Sequence, residues 1–247
     1  MFEDHFGNHA DAYRRHRPAY PDTLFARLAA AVPQTRVAWD AACGSGQAAT
    51  SLSAIFDTVI GCDGSLAQLV AAQPDRRFSL VRAWVEAPPL PDHSVDLVTV
   101  AQALHWLDLP AFYRAVERVV RPGGAIAAWC YTLPTLSHAL DPLIVHFHDE
   151  VVGPYWPARR RHVLRAYRDL AFPFPRIAAP TLALRATWRA DNLLGYLGTW
   201  SAARRYAAAT GRDPLRAIAS QLHRAWGSEK TRMVRWPLHL LLGRVGA

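Results

Sequence analysis

The chain has 247 residues, of which 51% are hydrophobic and 19% are charged. This composition is typical of a globular protein with a sizeable core, and it excludes disordered, collagen-like and disulfide-scaffold classes. The formal net charge of +8 is unevenly divided. Residues 1–131 carry 11 basic and 13 acidic residues, whereas residues 132–247 carry 17 basic and 7 acidic residues. The basic character therefore belongs to the second half, where two interpretations have about equal weight: a codon bias towards Arg, or anion binding.

The sequence offers no sign of a membrane or metal protein. No window contains the roughly 18 unbroken apolar residues that a membrane helix requires. The three cysteines (Cys43, Cys62 and Cys130) have no CxxC spacing, which predicts neither disulfides nor a zinc site. The first six residues lack the apolar stretch of a signal peptide. We therefore expect a cytoplasmic protein without membrane association, in a reducing compartment.

The first half alternates predicted helices and strands. In chain order they are a helix over 22–32, a strand over 36–40, a helix that includes Leu52, Ile55 and Phe56, a strand over 58–62, a helix over 65–70, strands over 78–81 and 95–100, a helix from 110 to 120, a turn at 121–124 and a strand over 125–131. Strands that alternate with helices predict a parallel sheet covered on both faces.

The second half is predominantly helical. Helical spacing covers residues 140–152 and 159–170, and two or three helices are predicted between 192 and 226. Residues 181–184 and 233–236 are predicted as two late strands. The expected fold is α/β, a Rossmann-like seven-stranded sheet with helical cap insertions. We divide the chain into an N-terminal lid and helix (1–34), a ligand-binding core (35–131) and a helical cap with the last two strands (132–247).

Candidate ligand contacts follow the strands, since open parallel sheets bind ligands at their carboxyl ends. Residues 44–49 fit G-x-G-x-x-[GA], and Asp63 lies 19 residues beyond Gly44, a spacing that also suits NAD. Asp40, however, precedes the loop, where a carboxylate would repel a pyrophosphate by about 1 kcal/mol or more. This carboxylate favours a ligand with an ammonium and a sulfonium, such as S-adenosylmethionine.

These residues resemble a known family. Residues 39–46 (WDAACGSG) are similar to the first motif of class I S-adenosylmethionine-dependent methyltransferases, and residues 118–124 (RVVRPGG) match the turn before the fifth strand of that family. Residues 17–18, 20–21 and 102–106 (QALHW), with Tyr13, resemble the trans-aconitate methyltransferase-like branch of methyltransferase type 11. Residues 200–202, 226–227 and 236–238 extend that similarity through the second half.

The resemblance implies S-adenosylmethionine as methyl donor and S-adenosylhomocysteine as product. Asp40 would hold the methionine ammonium, directly or through water, and Asp63 the ribose hydroxyls. The set expected at the cofactor also includes Tyr13 and Arg17 at the methionine carboxylate, Ala42, Gly44 and Gly46 in the loop, Ala83 and Trp84 beside the adenine, and Gln102. Ala42 departs from the family, which usually has Gly there; because Ala has a Cβ, ordinary backbone angles are expected at this position.

His105 is the candidate catalytic residue. For a hydroxyl nucleophile it is the natural general base, because an ordinary histidine pKa of about 6.5 suits proton acceptance at neutral pH. For a carboxylate nucleophile no base is needed, and His105 would position substrate. A purely structural role is a third interpretation. Trp106 is expected to shape the pocket.

The arginine cluster at 159–168 has three interpretations. It can be a solvated helix face, a carboxylate or phosphate site formed by Arg161 and Arg165, or a grip on nucleic-acid phosphates. No RNA-binding motif is present, so a small, acidic, carboxylate-bearing substrate is favoured; RNA or DNA methylation and an NAD-binding Rossmann protein are the alternatives. His146 and His148 point about 200° apart on a helix, so no metal is expected. The oligomeric state is left open.

Overall fold

A single seven-stranded sheet forms the centre of the protein, whose computed structural model describes residues 17–72 and 76–246. The strands lie in the order β3-β2-β1-β4-β5-β7-β6. They are β1 (Val37–Ala41), β2 (Thr58–Asp63), β3 (Phe78–Arg82), β4 (Val95–Ala101), β5 (Val120–Tyr131), β6 (Leu182–Trp188) and β7 (Arg232–Arg244). The helices are α1 (Asp22–Ala29), α2 (Gln47–Leu52), α3 (Leu66–Ala71), α4 (Leu109–Val119), α5 (Asp141–His146), α6 (Arg160–Leu164), α7 (Ala190–Gly198), α8 (Ser201–Thr210) and α9 (Ala219–Trp226).

The first five strands are parallel, and β7 runs antiparallel between β5 and β6. The chain builds outward from β1 to β3 and then returns to place β4 on the other side of β1. This reversal opens a crevice at the carboxyl ends of β1 and β4, where ligands of such sheets bind. The predicted α/β, Rossmann-like, seven-stranded fold is confirmed.

Both faces of the sheet carry an apolar core. On one face, α1, α2 and the cap helices pack around Leu52, Trp129 and Leu193. On the other face, α4 packs around Trp39 and Phe112. Local signals start these helices: the Ser65 hydroxyl accepts a hydrogen bond from the N–H of Gln68, and the Asp108 carboxylate accepts one from the N–H of Ala111. Such caps explain why α3 and α4 begin close to where the sequence predicted.

Several element boundaries differ from the prediction. Strand β5 starts at Val120 instead of residue 125, because residues 121–124 form a bulge within the strand and not a separate turn. Helix α2 ends at Leu52, before Ile55 and Phe56. The two late strands, β6 and β7, are longer than predicted. All of β6 pairs with the first half of β7, and the second half of β7 pairs with β5.

The segment predicted as one helix over 159–170 is helical only in α6. It ends there because Ala166 and Tyr167 adopt left-handed backbone angles, with φ of +55° and +59°. Left-handed residues interrupt a right-handed helix, and for side chains other than Gly they are unfavourable. Across the described ranges, the longest and most apolar helices still fall short of what a membrane crossing needs.

Candidate functional site

A cavity of about 870 Å³ opens at the carboxyl ends of the parallel strands. Its volume lies within the range of small-molecule and cofactor sites. The loops after β1 to β4 and the end of β5 form one part of its wall, and residues 156–160 and 196–201 of the cap form the other. Of the predicted site residues, the wall includes Arg17, Ala42, Gly44, Asp63, Ala83, Trp84, Gln102, His105 and Trp106. Tyr13 lies outside the described residues.

The loop after β1 has an unusual backbone, and the expectation for Ala42 is wrong. Ala42 has φ of +54°, in the left-handed region, followed by Gly44 at +55°. This path lets the N–H of Cys43 donate to the Cys62 carbonyl at 3.0 Å and the N–H of Gly44 donate to Asp63 Oδ2 at 2.8 Å. The loop is thus attached to the end of β2 by two hydrogen bonds, and Ala42 adopts a conformation that disfavours an L-residue by about 1–2 kcal/mol.

Gly46 is not part of the cavity wall and packs closely against the core. Its φ is +81°, and a Cβ placed there would lie 2.8 Å from Cε1 of Phe78, whose ring is 1% exposed. Because this contact is closer than van der Waals packing allows, only Gly fits between the loop and β3. The glycine pattern therefore serves loop packing at Gly46 and loop attachment at Gly44.

Asp63 holds the loop after β1 in place. Its Oδ2 accepts the Gly44 N–H, and its Oδ1 accepts the Ser65 N–H at 2.8 Å. Each carboxylate oxygen has a further lone pair, and Asp63 lines the cavity. It can therefore organise the loop and accept ligand hydroxyls with the same carboxylate.

Asp40 lies beneath the loop and outside the cavity wall. It pairs in register with Thr99 of β4, so both side chains lie on the same face of the sheet, and Asp40 Oδ1 accepts the Thr99 hydroxyl at 2.7 Å. Among the described residues, Asp40 Oδ2 is buried without a hydrogen-bond partner. Burial raises the pKa of Asp40 to about 7. A cationic group held near this carboxylate would lower that pKa.

Gln102 lines the cavity and also links the ends of β4 and β5. Its Oε1 accepts the Tyr131 N–H at 2.9 Å, and its Nε2 donates to the Tyr131 carbonyl at 3.3 Å. On the opposite side of the cavity, the Ala83 N–H donates to the Asp63 carbonyl at 3.3 Å. The neighbouring Trp84 is 56% exposed, and both residues line the slot beyond β3 where the adenine was predicted.

His105 lies in a short 3₁₀ turn after β4 and is 6% exposed. Its Nδ1 is 3.0 Å from the Tyr167 hydroxyl, and its ring lies 4.7 Å from that of Trp106. Burial, together with the nearby charges of Arg160, His162 and Arg159, lowers the pKa of His105 to about 3. The imidazole is therefore neutral at physiological pH and is a much weaker base than the ordinary histidine assumed from the sequence.

The arginines that reach the cavity are not those predicted from the sequence. Arg159 and Arg160 line it, whereas Arg161 and Arg165 are exposed away from it, and Arg165 pairs with Asp169 at 3.2 Å. Helix α6 has little more than one turn: Arg159 and Arg160 at its start line the cavity, and Val163 near its end is buried in the core. The sequence therefore indicated the segment whose arginines reach the cavity, but not which of its arginines do so.

The cap end of the cavity combines these cations with aromatic rings. The Arg160 guanidinium lies 4.8 Å from the Trp156 ring centroid, and burial lowers its pKa. Arg17 Nη1 donates to the Tyr131 hydroxyl at 2.6 Å, and Arg159 Nη1 donates to the Trp106 carbonyl at 2.6 Å. The sequence analysis did not assign any of five aromatic wall residues to the site, although two of them, Tyr20 and Trp200, lie in segments that carry the family resemblance; the five are Tyr20, Tyr131, Trp156, Tyr196 and Trp200.

Charged groups of both signs line the cavity. Asp63, Glu86 and Asp108 come from the loops after β2, β3 and β4, and the cations are those of Arg17, Arg159 and Arg160. In the described part of the chain, no group of three or more His, Cys, Asp or Glu side chains is arranged to hold a metal ion. The cavity therefore offers a ligand both carboxylates and guanidinium groups.

Comparisons with known proteins agree with this geometry. A family profile described as "Methyltransferase domain" matches residues 39–128. A protein of Dictyostelium discoideum named as a methyltransferase is 30% identical over 98% of this chain and 95% of its own length. A Saccharomyces cerevisiae protein named as an S-adenosylmethionine-dependent methyltransferase is 29% identical over 63% of this chain and 58% of its own length.

A solved structure is similar over nearly the whole chain. The structure described as a type II methyltransferase from Anaeromyxobacter dehalogenans is 40% identical, with a TM-score of 0.86, and the match covers 92% of this chain and 97% of that one. The similarity therefore includes the cap as well as the sheet and its loops.

Proposed function

The chain belongs to the class I S-adenosylmethionine-dependent methyltransferases, and from that premise we propose that it methylates a small molecule carrying a carboxylate. Membership of the family makes S-adenosylmethionine the cofactor, in place of the NAD that the glycine pattern and Asp63 would also have suited. The chemical class of the methyl acceptor is our proposal, and it is based on the residues that line the cavity.

The residues present fit the cofactor. Asp63 would accept the ribose hydroxyls, and the buried, unpartnered Oδ2 of Asp40 would favour the methionine ammonium through the loop or a water molecule. Ala83 and Trp84 would flank the adenine, and Arg17 would contact the methionine carboxylate. When bound, S-adenosylmethionine supplies a methyl carbon whose bond to sulfur breaks, with the electron pair left on sulfur, as the bond to the acceptor forms.

The proposal depends on the position of Arg160 in the cavity wall. Its guanidinium lines the cavity, and in residues 17–72 and 76–246 it has no carboxylate partner. A partly buried cation without an anion is costly unless a ligand supplies one. A planar guanidinium matches a carboxylate in a bidentate manner, and Trp156 and Trp200 provide flat apolar walls beside it.

The low basicity of His105 supports the same acceptor. A carboxylate is already ionised at neutral pH, so its methylation releases no proton and needs no general base. A hydroxyl acceptor would require a base considerably stronger than an imidazole whose pKa is about 3. The cavity volume of about 870 Å³ lies within the range of small-molecule sites, which favours a small molecule over RNA or DNA. We further propose a cytoplasmic location, because Cys43, Cys62 and Cys130 are buried free thiols.

A screen of carboxylic acids with radiolabelled S-adenosylmethionine tests the proposal. The panel includes aromatic monocarboxylates, aliphatic monocarboxylates and the tricarboxylate trans-aconitate, which the resemblance to that branch suggests. We expect transfer that gives a base-labile methyl ester and that depends on Arg160. The Arg160→Met variant should raise the acceptor KM at least tenfold, since it removes a charge-assisted hydrogen bond.

Arg161→Met is the matched control, because Arg161 is the neighbouring arginine and is exposed away from the cavity. It should leave the acceptor KM unchanged. Equal loss in both variants, or methylation of amines and alcohols but not of acids, would refute the carboxylate assignment. Nucleic acid that co-purifies with the protein and is methylated by it would favour the alternative.

A further inference from the structure

Among the described residues, the ring of His105 is hydrogen-bonded to the side chain of Tyr167. Tyr167 is 1% exposed, and its hydroxyl lies 3.0 Å from Nδ1 of His105. Within the described ranges, this nitrogen is the one acceptor to which the Tyr167 hydroxyl is hydrogen-bonded. The His105 imidazole is therefore the acceptor available to the Tyr167 hydroxyl, and the protons of this buried pair can be assigned.

A neutral imidazole carries its single N–H on either Nδ1 or Nε2. If Nδ1 carried it, the Tyr167 O–H would be buried without an acceptor, which proteins strongly avoid. Burial raises the pKa of Tyr167 well above its ordinary value, so the hydroxyl keeps its proton. The hydroxyl therefore donates to Nδ1, and the N–H of His105 is at Nε2.

We propose that Tyr167 is a positioning residue that holds His105 as an Nε2–H donor, so that His105 binds an ionised carboxylate of the acceptor instead of removing a proton from it. This inference rests on the proposed carboxylate acceptor. His105 lines the cavity beside Arg159 and Arg160. One carboxylate oxygen can thus accept from Nε2–H while the other remains available to the methyl carbon.

The backbone around Tyr167 supports a positioning role. Ala166 and Tyr167 are both left-handed, a strained arrangement for residues with side chains. The strained turn is held by a hydrogen bond from the Tyr167 N–H to the His162 carbonyl at 2.8 Å, and it directs the phenol ring into the core. Arg159, from the same segment, also donates to the Trp106 carbonyl beside His105. The segment from Arg159 to Tyr167 thus holds both the ring and the turn of His105.

The tautomer can be measured without any acceptor. Long-range ¹H–¹⁵N correlation spectra of protein labelled with ¹⁵N-histidine distinguish the two tautomers, and the signal absent from His105→Gln identifies His105. We expect the Nε2–H tautomer in the wild-type protein, both ligand-free and with S-adenosylhomocysteine. Tyr167→Phe should lose this pattern or shift the Nδ1 resonance strongly. An Nδ1–H tautomer in the wild-type protein would overturn the proposal.

The donor role of His105 is tested with the acceptor identified in the carboxylic acid screen. In His105→Gln the amide N–H takes the place of Nε2–H but cannot act as a base, whereas His105→Ala has neither property. We expect kcat/KM to fall about 10- to 100-fold in His105→Ala and less than tenfold in His105→Gln. Equal losses in the two variants would overturn the donor role.

The two proposals fail in different ways. If no carboxylic acid is methylated, the proposed acceptor is wrong, but the spectra still decide whether Tyr167 fixes His105. If acids are methylated and the tautomer is Nδ1–H, the acceptor assignment survives and the role of Tyr167 does not. Thermal unfolding of Tyr167→Phe separates a loss of stability, which does not determine the tautomer, from the predicted spectral change.

Discussion

Replacing Gly46 with Ala tests how the loop after β1 is packed against β3. Two terms oppose the change. The left-handed φ of +81° costs an L-residue about 1–2 kcal/mol, and a Cβ at 2.8 Å from the buried Phe78 ring adds an overpacking cost of about 1–3 kcal/mol. The reduced entropy of the unfolded chain offsets about 0.4–1 kcal/mol. We expect Gly46→Ala to lower the free energy of unfolding by about 2–4 kcal/mol.

Gly211→Ala is the matched control for the backbone term. Gly211 also has a left-handed φ, of +68°, but a Cβ there would have nothing within 4 Å. Its substitution should therefore cost only about 1 kcal/mol, the left-handed cost less the entropic gain. Urea unfolding followed by the fluorescence of the nine tryptophans gives both values.

The difference between the two variants isolates the contact with Phe78. If Gly46→Ala is no more destabilising than Gly211→Ala, the Phe78 ring does not constrain the loop, and our account of this glycine is refuted. A double-mutant cycle gives independent evidence, because Phe78→Leu should make room for the new methyl group. The cycle should then show a favourable coupling of about 1 kcal/mol between the two substitutions.

Three further predictions concern the same loop and its carboxylates. The pKa of Asp40 is raised to about 7, so between about pH 4 and 7 the folded state binds a proton that the unfolded state does not, and the free energy of unfolding falls as the pH rises through that range. In urea unfolding above pH 7, the free energy of unfolding of Asp40→Asn should therefore exceed that of the ligand-free wild type by up to about 4 kcal/mol. At pH 5 the difference should be much smaller. Ala42→Gly should stabilise the protein by about 0.5–1 kcal/mol in the same assay, because relief of the left-handed strain exceeds the entropy that Gly adds to the unfolded chain. Asp63→Asn should weaken S-adenosylhomocysteine binding at least tenfold by calorimetry, since an amide accepts on one atom only, whereas the exposed Asp57→Asn should not.

Much of the fold followed from local sequence. The alternation of apolar strands with capped helices depends on backbone geometry and on neighbours a few residues away, so β1 to β4 lie close to the predicted ranges. The loop at 40–46 and Asp63 were also recognisable, because a parallel sheet places the ends of β1 and β2 side by side whatever the surrounding packing.

Other features depended on residues distant in the chain. Ala42 is left-handed because Cys62 and Asp63 accept the N–H groups that follow it. The boundary of α6 depends on the two strained residues that direct Tyr167 into the core. The residues next to Ala42 do not predict its left-handed backbone angle, and those next to Leu164 do not predict the end of α6.

The chemistry of the site shows the same division. The sequence by itself determined that this is a methyltransferase-type sheet with a cationic cap, since residue types and spacing carry that information. Only the tertiary structure decided that Arg160 rather than Arg161 faces the cavity, and that burial among cations lowers the pKa of His105 to about 3. Orientation and desolvation arise from contacts between segments 50 or more residues apart, such as that of His105 with Tyr167, and no local pattern encodes them.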